Sequence, residues 1–133
     1  MKISDIEGIG SAYAKKLTKA GIRSTEALLK RGASQKGRKE VATAAGVSHT
    51  LVLEWVNRAD LYRIKGIGRQ YSDLLEKSGV DTVVKLSNRV ADGLYKKMGD
   101  VNEKKNLVNQ MPGLKQVKKW IVQAKKLPRV VTY

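Results

Sequence analysis

Ile6-Glu7-Gly8-Ile9-Gly10 returns 58 residues later as Ile64-Lys65-Gly66-Ile67-Gly68. The same offset pairs Tyr13 with Tyr71, Leu17 with Leu75, Lys19 with Lys77, Gly21 with Gly79, Ile22 with Val80 and Leu28 with Leu86. Farther on, Trp55-Val56 matches Trp120-Ile121 and Ala59 matches Ala124 at an offset of 65. The second copy has therefore gained about seven residues, expected around Asn102 to Pro112. A duplication accounts for this register. The expected organisation is one unit over residues 1–62 and a second over 63–133. Units this small bury little core alone, so the two are expected to pack together.

The apolar spacing around these segments is helical. Ser11 to Ala20 puts Tyr13, Ala14 and Leu17 on one face, and Gly21 stops the helix. Ser24 is placed to cap a short helix through Lys30, and Ser34 another that ends at Gly46. Ser48 opens what reads as the longest helix, about His49 to Tyr62, with Leu51, Val52, Trp55, Ala59 and Tyr62 as its apolar stripe and His49 at the surface. In the second copy Arg69 to Ser78 repeats the first helix. Asp81 is the expected cap of a helix to Leu86, and Asn88 of one that runs to Met98 and stops at Gly99. A further helix is expected over about Asn102 to Gln110, then a break at Pro112-Gly113 and a last helix to Lys126. Pro128 forbids its continuation. The tail Arg129 to Tyr133 reads as extended. No alternating strand pairs occur, so the fold class is all-α.

Composition narrows the chemistry. The chain has 133 residues, no Cys, no Phe and one His, so disulfides, thiolate metal sites and a Cys nucleophile are excluded. No apolar run approaches the length of a membrane span, and Met1 to Asp5 lacks the apolar stretch of a signal peptide. The expected location is cytoplasmic. Acids such as Asp73 and Glu76 stand singly among bases, and Gly-Ile-Gly-Arg lacks the Gly-Lys-Ser/Thr end of a phosphate-binding loop. The reading is therefore no enzyme and no small-molecule substrate. Against this, 27 Lys and Arg face 12 Asp and Glu, for a net charge of +15. That much self-repulsion points to a polyanionic partner. Residues 1–62 carry +5 and residues 63–133 carry +10, and eight basic residues with no acid follow Glu103.

Each copy sets a Gly-Ile-Gly triplet between two short helices. The glycines allow a sharp reversal, the isoleucine (Ile9, Ile67) plugs the core, and the next helix presents free N–H groups at its start. A phosphate there would meet the amides of Gly10 and Ser11, or of Gly68 and Arg69.

The segments Ile6-x-Gly8-Ile9-Gly10-x-x-x-Ala14-x-x-Leu17-x-x-x-Gly21-Ile22 and Ile64-x-Gly66-Ile67-Gly68-x-x-x-Ser72-x-x-Leu75-x-x-x-Gly79-Val80 resemble the helix-hairpin-helix motif. The first looks especially like the hairpins of family X DNA polymerases, with Thr25 and Leu28 following. The whole chain, through Pro128 to Tyr133, is similar to a bacterial family of uncharacterised domains built from two such units. The likeness implies tandem helix-hairpin-helix units of about five short helices each in one compact body. It implies sequence-independent binding to DNA backbone, through Gly8, Gly10 and Ser11 and through Gly66, Gly68 and Arg69 with Lys65. It also implies a Na⁺ or K⁺ ion held by backbone carbonyls, here those of Ser4, Ile6 and Ile9 or of Tyr62, Ile64 and Ile67. The sequence departs from the motif at Ser11-Ala12 and Arg69-Gln70, where many DNA-binding members carry Pro and then Lys or Arg. Glu7 and Asp5 disfavour a phosphate at the first hairpin, while Lys65 and Arg69 favour the second.

Lys115, Lys118 and Lys119 lie with Lys125 and Lys126 on the last helix, opposite a stripe of Leu114, Val117, Ile121 and Ala124. That basic face is the second expected contact surface. Arg31, Lys36, Arg38 and Lys39 form a further cluster that reads equally as a phosphate edge or a solvated face. Trp55 and Trp120 read as paired core residues, and Tyr13 and Tyr71 as packing residues. The expected function is non-catalytic nucleic-acid binding, with double-stranded DNA as the partner and RNA as the alternative polyanion. The competing expectation is a protein-interaction module whose hairpins only turn the chain.

Overall fold

A computed structural model describes residues 1–6 and 8–133. A 3-10 turn, Ile3–Asp5, is followed by α1 (Gly10–Lys19), α2 (Thr25–Arg31), α3 (Gln35–Ala45), α4 (His49–Leu61), α5 (Arg69–Lys77), α6 (Val83–Ser87), α7 (Ala91–Lys105) and α8 (Leu114–Lys126). The fold is all-α. Among the described residues the one extended pairing is an isolated bridge between Lys2 and Ser24.

The chain divides into two compact units, Met1–Asp60 with Val130–Tyr133, and Leu61–Arg129. In the first unit α3 packs against α1 and α2, and the 3-10 turn against α1. Ile6, Ile9, Leu17, Leu28, Val41, Val52 and Trp55 are buried. Tyr13 of α1 meets Trp55 of α4 with ring centres 5.1 Å apart. The second unit repeats this contact between Tyr71 of α5 and Trp120 of α8, at 5.4 Å. There α8 packs against α6 and α7, and α5 against α7, over a core that includes Ile64, Ile67, Leu75, Leu94, Met98, Val117 and Trp120. The paired tryptophans and tyrosines are thus packing residues in both copies.

Several boundaries differ from the sequence pattern, each for a local reason. Val130–Tyr133 belongs with the first unit, not the second. Arg38 holds it there: its guanidinium donates to the carbonyls of Gly32 (2.9 Å), Ala33 (3.1 Å) and Thr132 (2.7 Å). Thr132 N–H donates to Ala33 O at 2.8 Å, Val131 is buried, and the Tyr133 hydroxyl donates to Asn57 Oδ1 at 3.3 Å. Burial pushes the Arg38 guanidinium below its ordinary pKa, and Tyr133 partly restores it. Arg38 is only 2% exposed, so it is no part of a phosphate edge with Arg31, Lys36 and Lys39.

Thr82, not Asp81, caps α6, accepting the Lys85 N–H at 3.2 Å, as its repeat partner Ser24 caps α2. Asp81 instead pairs with Lys85 Nζ at 2.9 Å. α7 runs straight through Gly99 and is the longest helix at 15 residues, against 13 for α4. Leu94, Met98 and Val101 continue one apolar stripe across that glycine, and their packing outweighs its poor helix propensity. The separate helix expected over 102–110 does not form: residues 102–105 continue α7 and 106–110 leave the helix. Asn106 adopts φ 50°, and the Asn102 side chain grips Val108 by both N–H (2.9 Å) and C=O (3.1 Å). His49 is half-buried rather than on the surface, with its Nε2 shut away from solvent.

Two glycine-to-alanine substitutions separate tight from open backbone. A methyl on Gly37 would run into the carbonyl oxygen of Arg31, whereas one on Gly99 would meet nothing. Gly37→Ala is expected to destabilise by about 1–3 kcal/mol. Gly99→Ala is expected to stabilise by about 0.5–1 kcal/mol. Urea unfolding of both variants checks the pair.

Candidate nucleic-acid interface

The second hairpin is a self-closing turn. Ile64 N–H donates to Leu61 O at 3.1 Å and Ile67 N–H to Ile64 O at 3.2 Å, and both isoleucines are buried. Gly66 takes φ 97°, the left-handed region where any side chain is strained. Lys65 is pushed outward at the apex. Its backbone is clamped by Gln123 of α8: Lys65 N–H donates to Oε1 at 3.0 Å, and Nε2 donates to Lys65 O at 3.3 Å. The clamp fixes the hairpin over α8 and brings Lys65 to the helix that carries the C-terminal lysines.

The result is a groove of about 620 Å³ lined by Lys65, Gly113, Lys115, Gln116, Lys119, Trp120 and Gln123. Three of the expected binding lysines therefore converge, and no carboxylate lines the groove. Lys118 stays outside it, on a neighbouring surface with Val122. Gly68 and exposed Arg69 begin α5, which no side chain caps. Gly68 sits at φ −112°, open to any residue, and a methyl there would meet nothing. The second glycine is thus not needed for the turn. As the N-cap of α5 it offers no side-chain hydrogen bond to the helix.

The first hairpin is built alike, with Ile9 N–H donating to Ile6 O at 3.2 Å, Gly8 at φ 90° and buried Ile6 and Ile9. Its second glycine differs: Gly10 takes φ 63°. Gly8, Gly10 and Ser11 are exposed. Glu7, the charge expected to repel phosphate here, lies outside the described residues. The repeat register aligns Lys65 with Glu7, Lys115 with Thr50, Lys119 with Glu54 and Gln123 with Arg58. Arg58 is buried. The cationic positions of the groove are therefore neutral or acidic in the first copy.

Gln116 and Gln123 are groove residues that sequence reasoning missed, and Gly113 and Trp120, read as a helix break and a core residue, also line it. The signal was present as a break in the repeat, where a clamp glutamine stands opposite an arginine. Net charge follows the same division, +5 in the first unit and +10 in the second.

A family model described as domain of unknown function (DUF4332) matches residues 7–127. The chain belongs to this family. The matched DUF4332 span runs from the first hairpin to the end of α8 and so includes both copies. No curated protein and no solved structure matches the chain. Among the described residues, no acidic or histidine cluster is set to hold a metal, and no helix is long and apolar enough to cross a membrane.

The two glycines of the second hairpin should respond oppositely to a methyl group. Gly66→Ala meets both a positive φ and the Trp120 Nε1 at 3.1 Å, and a cost of about 1–2 kcal/mol is expected from the backbone alone. Gly68→Ala should leave the melting temperature unchanged or slightly raised. Thermal unfolding by circular dichroism checks both.

Proposed function

We propose that this domain binds nucleic acid without sequence preference and without catalysis, gripping the phosphates of double-stranded DNA chiefly through its second unit. The observation that carries the reading is the convergence of Lys65, Lys115 and Lys119 on one acid-free groove at the second hairpin. Cations held in a groove between low-dielectric walls focus a positive field there. Backbone N–H groups at Gly68 and Arg69 would add short-range donors to one phosphate, and the lysines would neutralise its neighbours. Such contacts hold the duplex but read no bases.

The first hairpin, with Gly8, Gly10 and Ser11, would contribute less, because Glu7 and Glu54 stand where the second copy has lysine. A Na⁺ or K⁺ ion at the second hairpin would be held by the neutral carbonyls of Tyr62, Ile64 and Ile67. Ile64 O already accepts one hydrogen bond, which leaves a second lone pair. The ion would lend the turn a positive charge. RNA duplexes share the phosphate chemistry, and competition between DNA and RNA of equal length ranks the two.

Titration of a random-sequence duplex across salt tests the reading. With about five phosphates neutralised, log K should fall with log salt at a slope of roughly −4 to −5. The double variant Lys118→Glu/Lys119→Glu should bind more weakly with a shallower slope, and Lys119→Glu alone should account for most of the loss. Absence of duplex binding at low salt would overturn the reading in favour of an interaction module with structural hairpins.

A further inference from the structure

One donor at the groove has no partner in the protein. Trp120 is only 1% exposed, yet it lines the groove. A side chain at Gly66 would meet its indole Nε1 at 3.1 Å, so the N–H lies directly under the hairpin. Among the described residues this N–H makes no hydrogen bond. The indole N–H of a largely buried tryptophan ordinarily finds an acceptor, and here the groove is open to supply one.

Its surroundings supply donors and positive charge. Lys65, Lys115 and Lys119 line the same groove, and the Gln116 amide nitrogen stands 3.6 Å from the same point over Gly66. Gly113, Lys115 and Gln116 are the N-cap and first turn of α8, a 13-residue helix that no side chain caps. Gln123 is occupied by the Lys65 backbone through both of its amide atoms. Uncapped amides, ammonium groups and a donor-only indole together call for a ligand that is all acceptor and negatively charged. The first copy has none of this: Thr50, Leu51 and Glu54 replace Lys115, Gln116 and Lys119, and a side chain at Gly8 would meet no tryptophan.

The geometry points to a phosphate subsite between the second hairpin and the start of α8. One phosphate oxygen takes the Trp120 N–H, and Lys65, Lys115 and Lys119 balance the charge. This site is separate from the hairpin amides at Gly68 and Arg69. It rests on the proposed function only for the source of the phosphate, a nucleic-acid backbone or a free phosphate group.

Nitrogen-15 NMR of the whole chain tests it, because Trp55 and Trp120 give two indole N–H signals, assigned with Trp55→Phe. Inorganic phosphate, chloride at matched ionic strength, and a 20-base-pair duplex are added in separate arms. The Trp120 indole proton should move downfield and saturate with phosphate and with duplex, while the Trp55 signal stays. Lys65→Ala/Lys119→Ala should abolish the movement. Trp120→Phe keeps the ring packed on Tyr71, and phosphate affinity, read at the Lys115 and Gln116 amides, should fall roughly tenfold. If chloride moves the signal as phosphate does, the groove takes an adventitious ion only and the inference is overturned. If duplex binds and the Trp120 signal does not move, the subsite fails while nucleic-acid binding stands. If phosphate moves it and no duplex binds, the subsite stands with a free phosphate as its source, and nucleic-acid binding fails.

Discussion

The buried isoleucine of the Gly-Ile-Gly turn is the constraint on which the second unit depends. Ile64 and Ile67 sink into the core from either side of Gly66, and the turn between them has no freedom to swing. Everything exposed at that corner is positioned as a consequence. Lys65 is forced outward, α5 begins immediately after Gly68, and the turn's underside rests on Trp120 and Gln123. Burial of these two side chains thereby places a cation, a helix start and an indole N–H within one neighbourhood.

The two copies show how a duplicated scaffold can keep its packing and change its surface. Tyr13 with Trp55 and Tyr71 with Trp120 preserve the same tilted ring contact, within 0.3 Å in centre separation. The helix stops at Gly21 and Gly79 and the caps Ser24 and Thr82 also correspond. Exposed Thr50 and Glu54 of the first copy correspond to Lys115 and Lys119 of the second, and in the sequence Glu7 corresponds to Lys65. Packing couples many neighbours at once, so it resists change. A charge on an open surface alters little in the fold and much in the field outside it. The first unit is correspondingly invested in structure, with Arg38 spending its hydrogen bonds on three carbonyls rather than on a ligand.

The helical class, the repeat and most helix limits were legible because they rest on short-range rules of spacing, caps and stops. Ser24, Ser34 and Gly46 act as their residue types suggest. The failures came where tertiary contacts overrule local preference. Gly99 sits inside α7 because the stripe through Leu94, Met98 and Val101 continues past it, and Asn102 ends the following loop by mimicking a backbone partner. Arg38 looked like a surface charge among Lys36 and Lys39, since nothing local announces that residues 94 positions away will bury it. The lysines of the candidate groove were legible singly. Their convergence was not, because it depends on the Gln123 clamp joining residues 58 apart.

The central claim is that phosphate contact is concentrated on one groove of the second unit rather than spread over a positive surface. Lysine acetylation by a small reagent, read residue by residue by mass spectrometry with and without bound duplex, tests it directly. The account predicts strong protection of Lys65, Lys115 and Lys119, with Lys2, Lys30 and Lys36 of the first unit reacting as in the free chain. Even protection over both units, or protection that leaves Lys65 and Lys119 unchanged, would contradict it.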